Sequence, residues 1–118
     1  MIRGIGVDVV DLARFARQVD RTPGLIPRLF AESERNLPHA SLAARFAAKE
    51  ALVKALGQSG VLTWQDMEIV TDAHGNPEFA RTGALGTVLT ARGISRVHVT
   101  MTHDAGVACA FVVTEGES

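Results

Sequence analysis

The sequence predicts an α+β fold in which a largely antiparallel sheet packs on one long central helix. Apolar and polar residues alternate near both ends of the chain, as in strands, and residues 42–56 form a nearly continuous apolar run of helical length. Turn signals join neighbouring strands into hairpins, which favours antiparallel pairing. The 118 residues suffice for one core, so we expect a single domain spanning residues 1–118.

The N-terminal half is predicted to form one strand followed by helices. The segment "IRGIGVDVV" at 2–10 is rich in Ile and Val and predicts a strand. The segment "DLARFARQVDR" at 11–21 has apolar residues at the i, i+3, i+4, i+7 spacing of an amphipathic helix. The two prolines of 22–30 predict a short helix or a turn-rich connection. A long helix should then begin near Ser41 and end at Gly57.

The C-terminal half is predicted to contain two hairpins around one helix. The "HGNP" turn at 74–77 joins two short strands. A helix should run from a Thr82 cap to Arg92 and stop at Gly93. In the last segment Val97, Val99 and Met101 alternate with polar residues, and the "HDAG" turn leads into a second, more apolar strand. The element order is therefore β-α-α-β-β-α-β-β.

Composition excludes several classes of protein. Hydrophobic residues make up 47% and charged residues 21% of the chain, which argues for an ordered globular protein. The net charge of −1 provides no general attraction for nucleic acid or membranes. The N-terminal segment resembles no signal peptide and no apolar run is long enough to span a bilayer, so we expect a cytoplasmic location. Cys109 lies in an apolar run and is expected to be buried and inert.

The long helix carries four charges that an apolar helix does not need, namely Arg45, Lys49, Glu50 and Lys54. Glu50 and Lys54 are spaced i, i+4, so one interpretation is a surface salt bridge worth about 0.2–0.5 kcal/mol. However, a helix that is apolar nearly all round is normally buried, and a buried charge is costly unless it is compensated. A bound cation near Glu50 and a bound anion near the three basic residues would compensate these charges. The pattern therefore indicates a candidate ligand site.

Two further features have both a structural and a functional interpretation. Asp8 follows an apolar strand, where it could cap the next helix or serve as an oxygen ligand for Mg²⁺ together with Glu50. Arg14, Arg17 and Arg21 lie opposite the apolar face of the first helix. An arginine row of this kind is usually a solvated surface.

Four motifs together resemble one protein family. They are "GIGVDVVDLARF" at 4–15, "RFAAKEALVKALG" at 45–57, "HGNP" at 74–77 and "VTMTHDAGVACAFVV" at 99–113. In this order, and over nearly the whole chain, they are similar to the holo-acyl-carrier-protein synthases, the small bacterial class of 4′-phosphopantetheinyl transferases. The resemblance implies the fold of that family and a transferase active in fatty acid biosynthesis. The phosphopantetheine group of coenzyme A would move to a serine of apo-acyl carrier protein, and adenosine 3′,5′-bisphosphate would be released.

The resemblance also implies roles for individual residues. Asp8 and Glu50 match the Mg²⁺ ligands, and Lys54 matches the cation that holds the phosphates. Arg45 and Lys49 match contacts to the nucleotide of coenzyme A or its 3′-phosphate. Further coenzyme A contacts are expected from three positions, because Gly57 allows close backbone approach, Thr102 replaces a serine common in the family, and His103 matches the family histidine.

Partners follow from the same resemblance. The family docks the acidic carrier protein on the first helix, where Arg14 matches a family arginine and geometry adds Arg17 and Arg21. The family forms homotrimers with sites at subunit boundaries, so His103 is expected to serve a neighbouring subunit.

The base that accepts the serine proton stays open at this point. His103, Asp8 acting through a metal-bound water, and an acid of "AESER", either Glu32 or Glu34, are the candidates. A histidine at a strand end also has a purely structural interpretation.

A different class of function is a non-catalytic module that binds nucleotide or carrier protein. Retention of both Asp8 and Glu50 argues against it, since carboxylates beside phosphates weaken simple anion binding. A third possibility, another Mg²⁺-dependent phosphoryl transferase, is disfavoured because the sequence lacks the Gly-x-x-x-x-Gly-Lys-[Ser/Thr] loop of the common nucleotide hydrolases.

Overall fold

The three long strands among the described residues form one antiparallel sheet. The computed structural model describes residues 1–58 and 60–117. Strand β1 covers Ile2–Asp11, β4 covers Ile94–Asp104 and β5 covers Val107–Gly116. Strand β5 pairs with β1 on one side and with β4 on the other. The fold is therefore α+β with an antiparallel sheet, as the sequence predicts.

The helices and a small hairpin lie between β1 and β4 in the chain. Helix α1 spans Leu12–Arg21, α2 spans Leu25–Leu29, and a 3-10 turn at Glu32–Glu34 precedes α3 at His39–Leu56. Strands β2 (Ile69–Thr71) and β3 (Pro77–Phe79) form the two-stranded hairpin, and α4 spans Gly83–Ala91. The predicted order is confirmed with one additional helix, α2, which lies where the sequence predicts a short helix or a turn-rich connection.

The ends of the helices match the sequence signals only in part. Helix α3 begins at His39, with Pro38 rather than Ser41 at the N-cap position. Proline suits this place because its missing N–H has no helical partner there. Gly57 ends α3 with a left-handed φ of 87°, as predicted. Thr82 precedes α4 but makes no side-chain capping bond.

Helix α3 is the centre of the core and lies against one face of the sheet. Its buried positions are mostly alanine, among them Ala47, Ala48 and Ala51, and larger side chains such as Leu42 and Leu52 fill the space around them. Full burial of each such leucine contributes about 1.5–3 kcal/mol. The alanines allow neighbouring backbone to come close to the helix. These alanines therefore allow the strands of the sheet to pack directly against α3.

The opposite face of the sheet is exposed and largely apolar. Ile5, Val7, Val9 and Phe111 are 38–61% exposed on strands β1 and β5. Cys109 lies on β5 with only partial burial, so the expectation of a buried thiol is wrong for the single chain. Strand alternation explains this, because Ala108 and Ala110 on either side of Cys109 face the helix.

A tight turn links β4 to β5 and contacts the start of α1. Ala105 and Gly106 both have positive φ values, 52° and 82°, as a two-residue hairpin turn requires. The N–H of Leu12 donates to the carbonyl of Gly106 at 3.0 Å.

In residues 1–58 and 60–117, no helix combines the length and the apolarity needed to cross a bilayer.

Candidate active site

Strand β1 lies directly against the backbone of α3, and this contact positions Asp8. A Cβ atom built on Gly6 would lie 1.9 Å from the carbonyl oxygen of Ala51, and one built on Gly4 would lie 2.0 Å from that of Ala55. Only glycine fits at these two positions. Since side chains alternate along a strand, Asp8 shares the face of Gly4 and Gly6 that is turned toward α3. The glycines therefore bring the Asp8 carboxylate to the charged part of the helix.

Asp8 forms an ion pair with Lys54 of α3. The Lys54 ammonium group donates to Asp8 Oδ1 at 3.1 Å and to the carbonyl of Val7 at 3.0 Å. The predicted alternative for Asp8, a helix cap, is wrong, because Asp11 is the N-cap of α1 and accepts from the N–H of Arg14 at 2.8 Å. Lys54 forms its ion pair with Asp8 of β1, and not with Glu50 of its own helix as the interpretation of a surface salt bridge requires.

Glu50 lies close enough to Asp8 for the two carboxylates to repel each other. Burial raises the pKa of Glu50 above its ordinary value of 4.5, the charge of Asp8 raises it further, and Lys54 partly offsets both effects. Repulsion between two carboxylates is what a divalent cation would relieve. Across residues 1–58 and 60–117 there is no cluster of three or more His, Cys, Asp or Glu side chains suited to a metal. Two carboxylates nonetheless suit Mg²⁺, which takes its other ligands from water and phosphate oxygens.

Lys49 does not lie where the predicted coenzyme A contact requires it. Its side chain is fully buried, and its ammonium group donates to Glu34 Oε1 at 2.7 Å and to the carbonyl of Trp64 at 3.0 Å. The same group lies 5.2 Å from the centre of the Phe30 ring. Burial lowers the pKa of Lys49, although the hydrogen bond and the charge of Glu34 act to raise it. The structure gives Lys49 a structural place in the core.

Arg45 has both a structural partner and access to a cavity. It donates to Glu34 Oε2 at 3.4 Å and also to the carbonyl of Ile69. Its side chain is 13% exposed and lines a cavity of about 220 Å³ together with Thr102 and His103. The structure therefore brings these three predicted coenzyme A contacts together within one chain.

Glu34 lies in the core and not at the surface where a base for an external serine is needed. Its buried carboxylate accepts from the N–H groups of Ala31 at 2.9 Å and Ile69 at 3.2 Å, in addition to Lys49 and Arg45. A carboxylate with no exposed surface and four donors does not serve as the base for an external serine. The sequence holds one signal for this contact, because Lys49 in a buried helix requires an opposite charge, and the structure supplies that charge from Glu34 rather than from a bound ligand.

A second and larger cavity opens beside Glu50. Its volume is about 640 Å³, and it was not predicted from the sequence. The lining is mixed, with apolar side chains, two polar ones and one cation alongside Glu50: Arg28, Val53, Leu62, Thr63, Trp64, Gln65 and Met67. Arg45 precedes Glu50 by five residues on α3, which is about 7.5 Å along the helix axis. The two cavities therefore lie at different heights along the same helix.

The remaining predicted residues lie at the surface. Arg14, Arg17 and Arg21 are exposed on α1, while Phe15 and Val19 of the same helix are buried. The predicted amphipathic helix is thus confirmed. Gly57 has nothing within 4 Å of the position its Cβ would occupy, so space for a ligand exists against its backbone.

Comparison with known proteins gives consistent matches over the whole chain. A family model described as the 4′-phosphopantetheinyl transferase superfamily matches residues 4–112. The holo-[acyl-carrier-protein] synthase of Clavibacter sepedonicus is 69% identical over 117 residues, which is 99% of this chain and 98% of that protein.

Two solved structures are similar to the fold described above. The crystal structure of holo-[acyl-carrier-protein] synthase from Neisseria meningitidis has a TM-score of 0.90 and 38% identity, covering 98% of this chain and 99% of that chain. The holo-(acyl-carrier-protein) synthase from Bacillus anthracis, in complex with coenzyme A (3′,5′-ADP), has a TM-score of 0.80 and 31% identity, covering 99% of both chains.

Proposed function

The chain belongs to the 4′-phosphopantetheinyl transferase superfamily and is a holo-[acyl-carrier-protein] synthase. We propose that its reaction uses a Mg²⁺ ion and that Asp8 and Glu50 hold this ion. The enzyme transfers the phosphopantetheine group of coenzyme A to apo-acyl carrier protein. The observation that carries the proposal is the ion pair of Asp8 with Lys54 at 3.1 Å, which brings the Asp8 carboxylate to α3 one turn beyond Glu50. Burial, and then the charge of Asp8, raise the pKa of Glu50. When bound there, Mg²⁺ would neutralise the pyrophosphate, which otherwise repels an oxygen nucleophile.

The reaction forms one bond to phosphorus and breaks another. The serine oxygen of the carrier protein bonds to the phosphorus that carries pantetheine, and the bond from that phosphorus to the bridging oxygen breaks. The electron pair leaves with adenosine 3′,5′-bisphosphate, and the serine proton passes to a base. Lys54, paired with Asp8 and half exposed, is placed to neutralise charge on the departing phosphate.

Three candidates remain for the base that accepts the serine proton. The burial and the four donors of Glu34 exclude it. Asp8 lies at the site itself, His103 lines the cavity with Arg45, and Glu32 is exposed on the 3-10 turn. Replacement of the true base removes the acidic limb of the pH profile of kcat, which is the fall in rate at low pH where that base is protonated. The other two replacements leave this limb in place.

The nucleotide half of coenzyme A is assigned to the smaller cavity. Arg45 supplies a guanidinium group, Thr102 a hydroxyl and His103 a ring nitrogen, which together suit a phosphate group such as the 3′-phosphate. Gly57 does not line this cavity, since it ends α3 12 residues beyond Arg45, about 18 Å along the helix axis, and its open backbone could contact only another part of coenzyme A. Lys49 is left out of this set because its ammonium group is buried against Glu34.

The carrier protein is assigned to the exposed arginines of α1. Arg14, Arg17 and Arg21 provide a row of positive charge that suits an acidic partner. The support is their common exposure on a helix whose other face is fixed in the core by Phe15 and Val19.

The exposed face of the sheet is assigned to contacts between copies of the chain, in a homotrimer. Ile5, Val7, Val9 and Phe111 form a contiguous apolar surface on paired strands, and such surfaces usually mark an interface. Subunit boundaries would then lie beside β1, which carries Asp8. Light scattering of the purified protein measures the oligomer, and Val7→Asp should dissociate it; a monomeric wild type would contradict the assignment.

The metal assignment is tested by mass spectrometry of apo-acyl carrier protein incubated with coenzyme A and Mg²⁺. The wild type should add one phosphopantetheine, whereas Asp8→Ala and Glu50→Ala should abolish most turnover while keeping the fold. Excess Mg²⁺ should restore part of the activity of these variants. Glu78→Ala, which removes an exposed carboxylate on β3, is the matched control. Near-normal rates in either site variant would show that the carboxylate is structural, and no mass gain with the wild type would favour a non-catalytic binding module.

A further inference from the structure

The carboxylate of Glu34 is shared between two basic side chains of α3. Glu34 Oε1 accepts from the Lys49 ammonium group at 2.7 Å, and Glu34 Oε2 accepts from Arg45 Nη1 at 3.4 Å. Arg45 and Lys49 are four residues apart, so they lie on the same side of the helix. Burial lowers the pKa of Lys49, and the charge of Arg45 lowers it further, which means that the two cations repel each other. Glu34 therefore allows both cations to occupy one side of α3.

The two cations differ in their access to ligands. Lys49 has no exposed side-chain surface, whereas Arg45 is 13% exposed and lines the cavity of about 220 Å³ with Thr102 and His103. One carboxylate and two cations leave an excess of one positive charge in this cluster. Since Arg45 is the member that reaches the cavity, the excess charge is available to an anion bound there.

A single nitrogen anchors the Arg45 guanidinium group. Within residues 1–58 and 60–117, Nη1 makes both hydrogen bonds of this group, one to Glu34 Oε2 and one to the carbonyl of Ile69. The N–H of Ile69 donates to the same oxygen of Glu34 at 3.2 Å. Glu34 and the Ile69 backbone thus hold one edge of the guanidinium group and leave Nη2 for a ligand. Arginine binds phosphate well when its planar group of N–H donors is correctly oriented.

We propose that Glu34 is a positioning residue for the 3′-phosphate of coenzyme A, because it fixes the Arg45 guanidinium group at the cavity. This inference rests on the proposed function, which assigns that phosphate to Arg45, Thr102 and His103. Glu34 itself is fully buried and acts through Arg45. A long side chain loses conformational freedom when it binds a ligand, and a guanidinium group that is held in advance loses less, so the phosphate is bound more tightly.

The contribution of the 3′-phosphate is measured with two ligands. Calorimetry gives the Kd of coenzyme A and the Kd of 3′-dephospho-coenzyme A, which lacks only that phosphate. The ratio of the two Kd values is the preference for the phosphate. The wild type should bind coenzyme A about tenfold more tightly, because hydrogen bonds to charged groups are strong, and Arg45→Ala should remove most of this preference.

The double variant Glu34→Gln/Lys49→Met removes one negative and one positive charge together. It leaves no buried charge without its partner, and the amide can still accept from the N–H of Ala31 or Ile69. The excess charge of the cluster stays the same, so a change in preference reports the orientation of Arg45. The preference should fall about fivefold, while the affinity for 3′-dephospho-coenzyme A stays within about twofold and shows that the variant is folded. Glu34→Asp, which keeps the charge on a shorter side chain, should lower the preference in the same direction.

Controls separate positioning from a general loss of structure. Glu68→Gln removes a nearby carboxylate that accepts from the Ser33 hydroxyl, and it should leave the preference unchanged. In an Arg45→Ala background, the change of Glu34 and Lys49 should have no further effect on the preference. Equal weakening of both ligands by the Glu34 variants would mean that Glu34 has only a structural role. An unchanged or stronger preference in the double variant would also overturn the proposal.

This inference and the proposed function fail in different ways. A wild type without the preference, or an Arg45→Ala variant that keeps it, would overturn the assignment of the phosphate to the smaller cavity and this inference with it. Loss of the preference in Arg45→Ala but not in the Glu34 variants would overturn this inference alone. The Mg²⁺ assignment to Asp8 and Glu50 is tested separately, by transfer to the carrier protein.

Discussion

Gly6→Ala is a sharp test of how the site is assembled, because it moves a strand rather than removing a functional group. The added Cβ would lie 1.9 Å from the carbonyl oxygen of Ala51 and 2.9 Å from the backbone nitrogen of Ala55. Both atoms belong to the backbone of α3 and have no side-chain rotation that could relieve the contact. Strand β1 must therefore move away from the helix.

The size of the displacement follows from the contact distance. Reaching ordinary van der Waals contact at 3.4 Å requires the closest distance to grow by about 1.5 Å. Asp8 lies two residues farther along the same face and moves with the strand. A misplacement of about 1 Å in a catalytic constellation costs about 100-fold in rate. Forcing extra volume into a packed contact costs about 1–3 kcal/mol of stability.

The assay compares Gly6→Ala with a matched glycine replacement. Transfer of phosphopantetheine is followed by the mass of the carrier protein, and stability is followed by urea unfolding. Gly24→Ala is the control, because Gly24 has a φ of −64° and nothing within 4 Å of the added carbon. It should keep normal activity and stability. A Gly6→Ala variant with wild-type kcat and wild-type stability would show that close contact between β1 and α3 does not position Asp8.

Three further predictions follow from charges in the structure. Lys49→Met should lower the free energy of unfolding by about 3–5 kcal/mol, because it removes the 2.7 Å partner of the buried Glu34 carboxylate and leaves only the longer contact with Arg45 at 3.4 Å. The Glu34→Gln/Lys49→Met double variant should recover most of this loss in urea melts, and equal losses would contradict the pairing. Glu50→Gln should raise the Tm at neutral pH, because folding raises the pKa of Glu50 and its charged form opposes folding above that pKa. The gain should vanish below pH 4.5, where Glu50 is protonated in both states, and a gain independent of pH would refute this reasoning. Charge reversal at Arg14 and Arg21 should raise the KM for carrier protein about tenfold, leave that for coenzyme A nearly unchanged and reduce salt sensitivity; unchanged KM values would mark α1 as ordinary surface.

Most of the fold was predictable because its signals are local. The period of apolar residues located β1, α1 and the strands near the C-terminus, and glycine located the end of α3. The start of α3 was less certain from sequence, since Pro38 and Ser41 are both acceptable at such a position and tertiary packing decides between them.

The site was predictable in its residue types and less so in its partners. The charges of α3 indicated that opposite charges must compensate them, which is correct in principle for Lys49 and Arg45. Their partner, Glu34, lies 15 residues from Lys49 and belongs to a different element, so no spacing rule connects them. The close contact of Gly6 with Ala51 likewise joins residues that are far apart in the sequence, so a local pattern cannot predict it. The resemblance to a family supplied the pairing of Asp8 with Glu50, which periodicity could not.

The hydrogen bond from Leu12 to Gly106 joins two regions with different tasks. Leu12 opens the arginine helix, and Gly106 lies three residues beyond His103 at the tip of the β4–β5 hairpin. A shift of either end alone would break this hydrogen bond. A carrier protein bound to α1 would therefore contact a helix whose first residue is hydrogen-bonded to the hairpin that carries His103.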